Sequence, residues 1–171
     1  MISQLEIQPL SKDAFAPFGD VIEIGGAERL LINDGTTDRF DDLANIDVAS
    51  GGGRPVISIF RGRPRRTGPS EPIEITMMER HPLGSQAFIS LTEAPYLVVV
   101  APHADAVGPG DLHAFLAEGG QGVNYRRELW HHPLLVLEDG HQFLVIDRGG
   151  PGDNCVEHHF TAEQGSARLI L

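Results

Sequence analysis

Short apolar runs separated by turn residues are the feature that most constrains how this chain can fold. Roughly eight to eleven runs alternate in polarity or are rich in β-branched residues, and turn signals recur about every 8–12 residues. Twenty glycines and twelve prolines supply those turns. Such spacing is typical of a β-sandwich or a barrel, and the length predicts a single domain over residues 1–171.

Three local patterns make predictions within that framework. Residues 96–101 are wholly apolar, which predicts a central strand. Ser11 precedes a short polar and apolar segment as an N-cap would, which predicts one helical turn. The pair Asp139-Gly140 carries a hairpin signal, which predicts that strands over 130–137 and 142–147 pair with each other.

Two segments are interpreted as loops. Within residues 30–49, Asn33-Asp34-Gly35 carries a turn signal, and the acidic segment 36–44 after it shows little periodicity, so we expect an exposed loop with a helical turn. Residues 62–69 form a basic loop rich in proline and glycine, which we interpret as solvated.

The charge balance excludes several classes of partner. The formal net charge is −11, from 24 acidic and 13 basic residues, so nucleic acid and anionic membrane surfaces are not expected partners. No apolar run approaches the ~20 residues needed to cross a bilayer, and the N-terminus has no secretory signal pattern. The one cysteine, Cys155, fits a reducing compartment. A soluble cytoplasmic protein is therefore expected.

Several kinds of catalysis find little support. Lys12 is the only lysine and lies in a polar stretch, so Schiff-base chemistry is not expected and an anion must be held by arginine. No Gly-x-Ser-x-Gly and no phosphate-binding glycine motif occurs. Cys155 is followed by His158 and His159, which we interpret as a loop thiol near surface histidines rather than a nucleophile paired with a base.

Two polar clusters are more informative. In the first, Glu79 and His81 are two residues apart and so share one face of a strand. Gln86 begins the next strand, beyond a Pro-Leu-Gly turn, and can face the same space. The second cluster supplies His131 or His132, which point to opposite faces. A barrel that brings these side chains together could hold a metal or a polar substrate.

Longer motifs around both clusters resemble those of a known family. Glu-Arg-His-Pro-Leu-Gly begins at Glu79, Gly-Gln-Gly-Val-Asn-Tyr ends at Tyr125, and Trp-His-His-Pro-Leu begins at Trp130. Ile-Asn-Asp-Gly begins at Ile32, and Asp-Arg-Gly-Gly begins at Asp147. Taken in chain order, and over essentially the whole chain, they resemble the signatures of the ureidoglycolate lyase family.

That resemblance implies a fold and an activity. The fold is an all-β, cupin-type double-stranded β-helix, a jelly-roll barrel with a few short helical turns, usually assembled as a homodimer. The activity is cleavage of ureidoglycolate to glyoxylate and urea, in allantoin and purine breakdown. Three alternatives stay open: an amidohydrolase that releases ammonia from the same substrate, a non-enzymatic cupin that binds a small molecule, and a metal-dependent cupin acting on another small hydroxy acid.

The cupin resemblance also implies positions for metal ligands. Metal-binding cupins carry His-x-His, four further residues and Glu in a first motif, and a histidine in a second. On this chain those positions are Glu79, His81, Gln86 and His131. We prefer His131 to His132 because the turn glycine of the second motif then falls on Glu128 rather than Leu129. Glu79 and Gln86 depart from the pattern, so at most a weakly bound divalent metal is expected.

The implied substrate gives roles to individual side chains. It carries a carboxylate and a urea group on one carbon, so its cleavage needs a base, an acid and a cation. The predicted acid and base are His81 and His131, with Glu79 orienting a histidine or acting as the base. The predicted substrate-binding residues are Arg61 and Arg148 for the carboxylate, and Gln86, Asn33 and Tyr125 for the urea.

Overall fold

The computed structural model describes residues 2–66, 68 and 71–171. Within these segments the chain forms the all-β, cupin-like fold that the sequence predicts, with seventeen strands and one short α-helix. Thr67 and Pro69, at the end of the predicted basic loop over 62–69, lie outside the described residues.

The largest sheet has seven strands. They are β2 (Ile7–Pro9), β8 (Met77–Arg80), β10 (Tyr96–Ala101), β11 (His113–Ala117), β13 (Trp130–His131), β14 (Leu135–Val136) and β16 (Val156–His159). Their order is β16-β8-β13-β10-β11-β2, and β14 also pairs with β10.

A five-stranded sheet faces it. Its members are β3 (Gly19–Ile22), β6 (Arg54–Arg61), β9 (Gln86–Ser90), β12 (Gly122–Tyr125) and β15 (Gln142–Gly149), in the order β3-β12-β9-β15-β6. A three-stranded sheet and a separate hairpin complete the described β-structure. The three strands are β1 (Ile2–Leu5), β17 (Ser166–Leu169) and β7 (Ile73–Ile75), and the hairpin pairs β4 (Arg29–Ile32) with β5 (Thr37–Phe40).

Two apolar clusters hold the three sheets together. On one face of β10, Val98 lies in a buried cluster with Phe88 of the five-stranded sheet. On the opposite face, Val99 lies in a second cluster with Ile75 of the three-stranded sheet. A strand that is buried on both faces needs a continuous apolar sequence. The prediction of a central strand over 96–101 is confirmed.

The predicted helical turn is also confirmed. Helix α1 (Lys12–Phe15) is capped by Ser11, whose Oγ accepts a hydrogen bond from the backbone N–H of Ala14 at 3.3 Å. The helix buries Phe15, whose ring meets that of Phe115 edge-on at 5.6 Å. No helix of the described segments is long and apolar enough to span a membrane.

The predicted hairpin at Asp139-Gly140 is wrong. β14 pairs with β10 in the seven-stranded sheet, whereas β15 pairs with β6 and β9 in the five-stranded sheet. The turn therefore carries the chain from one sheet to the other. Both flanking strands are apolar enough to be buried in separate layers, and a local turn signal does not determine which strands pair.

Strands also occur in two regions for which the sequence predicts none. The segment 30–49 includes the β4–β5 hairpin, with Asn33 and Asp34 in the left-handed conformation at its turn (φ 53° and 55°). Strand β16, near the C-terminus, pairs with β8. In the hairpin both Leu30 and Leu31 are exposed, so it lacks the alternation that marks a strand with one buried face.

Candidate active site

The two polar clusters meet where the chain passes from the seven-stranded to the five-stranded sheet. β8 ends at Arg80 in the first sheet, and β9 begins at Gln86 in the second. His81 lies in the crossing between them. From the other cluster, β13 places His131 directly opposite Glu79. The structure therefore brings four of the predicted site residues together.

His131 presents one ring nitrogen to this space. Its Nδ1 donates to the carbonyl oxygen of Leu129 at 3.0 Å. Its Nε2 lies 3.5 Å from Oε1 of Glu79 and has no hydrogen-bond partner among the residues that the structure describes. The side chain is buried, so this nitrogen is an unpaired polar atom aimed at the cluster. A backbone carbonyl that holds Nδ1–H leaves the lone pair of the neutral ring on Nε2.

His81 is held at both ring nitrogens. Nδ1 lies 2.6 Å from the carbonyl oxygen of Asn154, and Nε2 lies 3.2 Å from Oε1 of Gln86. The other end of that amide donates from Nε2 to Oδ1 of Asp147 at 2.8 Å. Both nitrogens of His81 thus face oxygen acceptors, an arrangement in which the ring can donate at each.

Tyr125 forms the wall behind His131. Its ring stacks on the imidazole with centroids 4.3 Å apart and planes 14° apart. The register of β12 and β9 places Tyr125 directly opposite Gln86. The rings of His81 and His131 lie 5.0 Å apart. The orientation of His131 is therefore fixed by stacking on one side and by the Leu129 carbonyl at its edge.

The turn before β13 supports the choice of His131 over His132. Glu128 has φ 67°, the left-handed conformation in which glycine is favoured, and it stands where the second cupin motif has its glycine. Its carboxylate lies 3.4 Å from Arg80, whose guanidinium lies over the ring of Trp130 at 4.7 Å. Arg80 therefore stays on the face opposite to Glu79, as the strand alternation predicts.

Burial and neighbouring charges set the protonation of the cluster. Burial acts to raise the pKa of Glu79, but the contact and charge of His131, with the charges of His81 and His132, outweigh it and leave that pKa below its usual value. Burial lowers the pKa of His131, and the contact and charge of Glu79 raise it by less, so the pKa stays below its usual value. Burial also lowers the pKa of His132 to about 4. At neutral pH the site therefore contains a carboxylate beside a neutral imidazole at position 131.

A cavity of ≈ 360 Å³ opens over Glu79 and Gln86. Apolar side chains form part of its wall, and three arginines stand at its rim. The arginines are Arg61, Arg63 and Arg65, and the apolar residues are Phe60, Phe88, Pro133 and Leu134. The volume suits a small substrate, and the rim places positive charge next to an acid–base cluster.

Sequence reasoning identified only one of these three arginines. Arg61 ends β6, where its guanidinium nitrogens lie 2.9 and 3.3 Å from the amide oxygen of Gln142 in the orientation that satisfies both groups. Arg63 and Arg65 were assigned to a solvated loop. The feature of the sequence that could have indicated a site is the clustering of arginines, because four of them fall within six residues at the end of a strand.

Two predicted site residues lie elsewhere. Asn33 is exposed at the tip of the β4–β5 hairpin, where its amide donates to Thr37. Arg148 is buried, and its guanidinium donates to three backbone carbonyls, those of Ser50, Gly51 and Pro151. Arg148 therefore stabilises a loop in this structure, and its position gives no support to a role in holding the substrate carboxylate.

The residues at the centre of the site could hold a divalent metal. One ligand atom from each of Glu79, His81 and His131 lies within 4.8 Å of the others. In both histidines Nδ1 is held by a backbone carbonyl, which is how histidine ligands are commonly oriented. The unpaired Nε2 of His131 and the oxygen of Gln86 are directed to the same region. This donor set suits a divalent transition metal.

Cys155 lies at the edge of the cluster without the features of a nucleophile. Its Sγ is 4.0 Å from Oε2 of Glu79. Partial burial, followed by the charges of Glu79 and Glu157, raises the pKa of this thiol. A thiol with a raised pKa is a weak nucleophile at neutral pH. The interpretation of Cys155 as an inactive loop thiol agrees with this environment.

Comparisons with known proteins point in one direction. The profile of the family described as ureidoglycolate lyase matches residues 2–166. A ureidoglycolate lyase of Burkholderia mallei (strain NCTC 10229) is 56% identical over 155 residues, which are 91% of this chain and 88% of that protein. One from Brucella melitensis biotype 2 is 56% identical over 94% of this chain and 92% of its own. One from Pseudomonas putida (strain W619) is 52% identical over 94% of this chain and 93% of its own.

Proposed function

This chain belongs to the ureidoglycolate lyase family, and from that membership we propose that the cavity over Glu79 is where it cleaves ureidoglycolate to glyoxylate and urea. The chain is an enzyme of the lyase type with a small-molecule substrate. In the reaction the substrate hydroxyl loses its proton, the carbon–oxygen bond becomes double, and the carbon–nitrogen bond breaks. The departing nitrogen takes up one proton and leaves as urea. No oxidant or covalent nucleophile is required.

The unpaired Nε2 of His131 is the observation that carries the proposal. Its lone pair lies beside Glu79, which lines the cavity, and can accept the hydroxyl proton. The imidazolium that forms lies 3.5 Å from Glu79, whose pKa is already lowered by the surrounding histidines. Glu79 therefore stabilises the charge that appears on His131 as the proton moves. The stacked ring of Tyr125 keeps the base in this orientation.

His81 supplies the acid in this scheme. Both of its ring nitrogens lie within hydrogen-bond distance of oxygen acceptors, so Nε2 can carry the proton that the departing urea nitrogen takes up. The two rings are in direct contact, with centroids 5.0 Å apart, so in this proposal the substrate carbon lies beside the pair, within reach of both. Proton transfer by a positioned side chain contributes about 10²–10⁴-fold to a rate. Tyr125 and Gln86 remain our proposed contacts for the urea group.

The arginine rim holds the substrate carboxylate in this proposal. Arg61, Arg63 and Arg65 line the same cavity as Glu79. A guanidinium forms two parallel hydrogen bonds to a carboxylate, which fixes its orientation as well as its position. With the carboxylate at the rim, the carbinol carbon lies toward the histidines. Arg61 keeps the role that the sequence predicts, and Arg63 and Arg65 join it in place of Arg148.

A weakly bound divalent metal is compatible with this site. Glu79, His81 and His131 would hold it, with the oxygen of Gln86 as a neutral fourth ligand. A metal there would polarise the substrate hydroxyl and lower the pKa of its proton. Metal analysis of protein purified without chelator, and activity before and after chelation, test this part of the proposal separately from the acid–base assignments.

Product analysis tests the reaction type. Purified protein given ureidoglycolate should release urea and glyoxylate in equal amounts, without ammonia. Ammonia in place of urea would establish the amidohydrolase alternative. Binding of ureidoglycolate without any product would favour a non-enzymatic cupin, and turnover of only another small hydroxy acid would favour the third alternative.

We propose that the protein assembles as a homodimer through the outer face of the five-stranded sheet. Ile57 and Ile59 on β6 are 68% and 58% exposed. Their cross-strand partners on β15, Ile146 and Leu144, extend the same apolar face. Contiguous exposed aliphatic surface is uncommon on monomers. Light scattering of the native protein should give twice the chain mass, and Ile59→Lys should give the single mass.

A further inference from the structure

Asp147 lies behind the site rather than in it. It follows Ile146 on β15, which is paired with Ala87 on β9, so the same antiparallel register brings Asp147 opposite Gln86. Its Oδ1 accepts a hydrogen bond from Nε2 of Gln86 at 2.8 Å. Gln86 is 7% exposed, so its amide has little access to water and depends on protein partners.

The contact with Asp147 determines which end of the Gln86 amide faces the site. A carboxylate only accepts hydrogen bonds, so the NH₂ group must point to Asp147. The carbonyl oxygen is then turned the other way, to within 3.2 Å of Nε2 of His81. The two ends of a glutamine amide are nearly equal in size, and shape alone does not select between them. Rotation by 180° would place an oxygen against the carboxylate and an N–H against the site.

We infer that Asp147 is a positioning residue, which keeps the carbonyl oxygen of Gln86, rather than its NH₂ group, turned toward His81. This rests on the proposed function, in which His81 is the acid. The oxygen, 3.2 Å from Nε2 of His81, can accept a hydrogen bond from that nitrogen and so fixes the position of the ring. It also provides an acceptor without adding a second negative charge beside Glu79. Position 86 is where the resemblance to metal cupins would place a carboxylate.

A swap of the two side chains tests the inference. Asp147→Asn can donate or accept, so it no longer selects one orientation of Gln86, and kcat should fall about tenfold or more. Gln86→Glu alone places two carboxylates together and should be at least as damaging. When both substitutions are combined, the asparagine amide at position 147 can donate to one oxygen of the carboxylate at position 86 and leave the other oxygen facing His81. The double variant should therefore be more active than either single variant.

Separate readouts keep the outcomes distinct. The side-chain ¹⁵N–¹H signals of Gln86 should move in Asp147→Asn and stay in place in the matched control Asp139→Asn, which changes an exposed turn residue. Full activity of Asp147→Asn, or a double variant no better than Gln86→Glu, would overturn the inference. The inference would also be overturned if the lower activity of Asp147→Asn were explained by a lower melting temperature of the variant. If His131→Ala keeps full activity, the proposed function itself fails. If His131→Ala loses activity but Asp147→Asn keeps it, only the inference about Asp147 fails.

Discussion

Replacing Glu79 with glutamine is the perturbation whose effect is best defined by the structure. The carboxylate lies 3.5 Å from Nε2 of His131, and both groups are largely buried, at 17% and 2% side-chain exposure. At an effective dielectric constant of about 20, two unit charges at that distance attract by about 4–5 kcal/mol. This attraction exists only once His131 has taken up the substrate proton, because burial keeps the free imidazole neutral.

Glu79→Gln should therefore lower kcat much more than it lowers stability. The glutamine keeps a polar contact with His131, so we expect to lose part of the attraction, about 3–4 kcal/mol or on the order of 10²–10³-fold in kcat. The melting temperature should change by no more than a few degrees. Glyoxylate release, measured by trapping the aldehyde as a hydrazone, gives kcat and KM, and calorimetry gives the melting temperature.

Glu118→Gln is the matched control for this experiment. Glu118 is an exposed carboxylate in the turn after β11, so its replacement should leave kcat within about twofold, as for an ordinary surface change. A Glu79→Gln enzyme that keeps more than about a third of the native kcat would refute the assignment of Glu79 as the group that stabilises charge on His131.

Three further predictions follow from the structure. Arg65→Gln should raise KM about tenfold with little change in kcat if the rim holds the substrate carboxylate, whereas Arg54→Gln, at the other end of β6, should change neither. Arg148→Met leaves three carbonyls without their donor and should lower the free energy of unfolding by about 2–4 kcal/mol, measured by urea denaturation; an unchanged midpoint contradicts the structural role. His132, with a folded pKa of about 4 against an ordinary 6.5, binds fewer protons folded than unfolded, so stability should fall by about 3 kcal/mol as pH drops from about 6.5 to 4. His132→Gln should flatten this dependence, and an unchanged slope would contradict it.

The parts of the fold that the sequence predicts are those determined locally. Alternation placed Glu79 on one face of β8 and Arg80 on the other, because strand geometry fixes side-chain direction. The continuous apolar run over 96–101 indicated a strand buried on both faces, and the structure confirms it. The Ser11 cap needed only its own helical turn. Each of these depends on neighbours in sequence rather than on the pairing of distant strands.

The parts that escaped prediction depend on long-range pairing. The Asp139-Gly140 turn joins strands of different sheets, which no local signal reveals. Asp147 meets Gln86 only because β15 and β9 are adjacent in one particular register. Arg148, predicted at the site, instead binds the carbonyls of a loop far away in sequence. The cytoplasmic location and the roles of individual site residues stay predictions.

The central claim is that the cavity over Glu79 performs the cleavage through His81 and His131. The most direct measurement is kcat for urea and glyoxylate release by His131→Ala and His81→Ala, each checked for native melting temperature. Loss of an acid–base group predicts a fall on the order of a hundredfold or more in each variant. If both folded variants release urea and glyoxylate at the native rate, the reaction takes place elsewhere in the molecule and the account of this site is wrong.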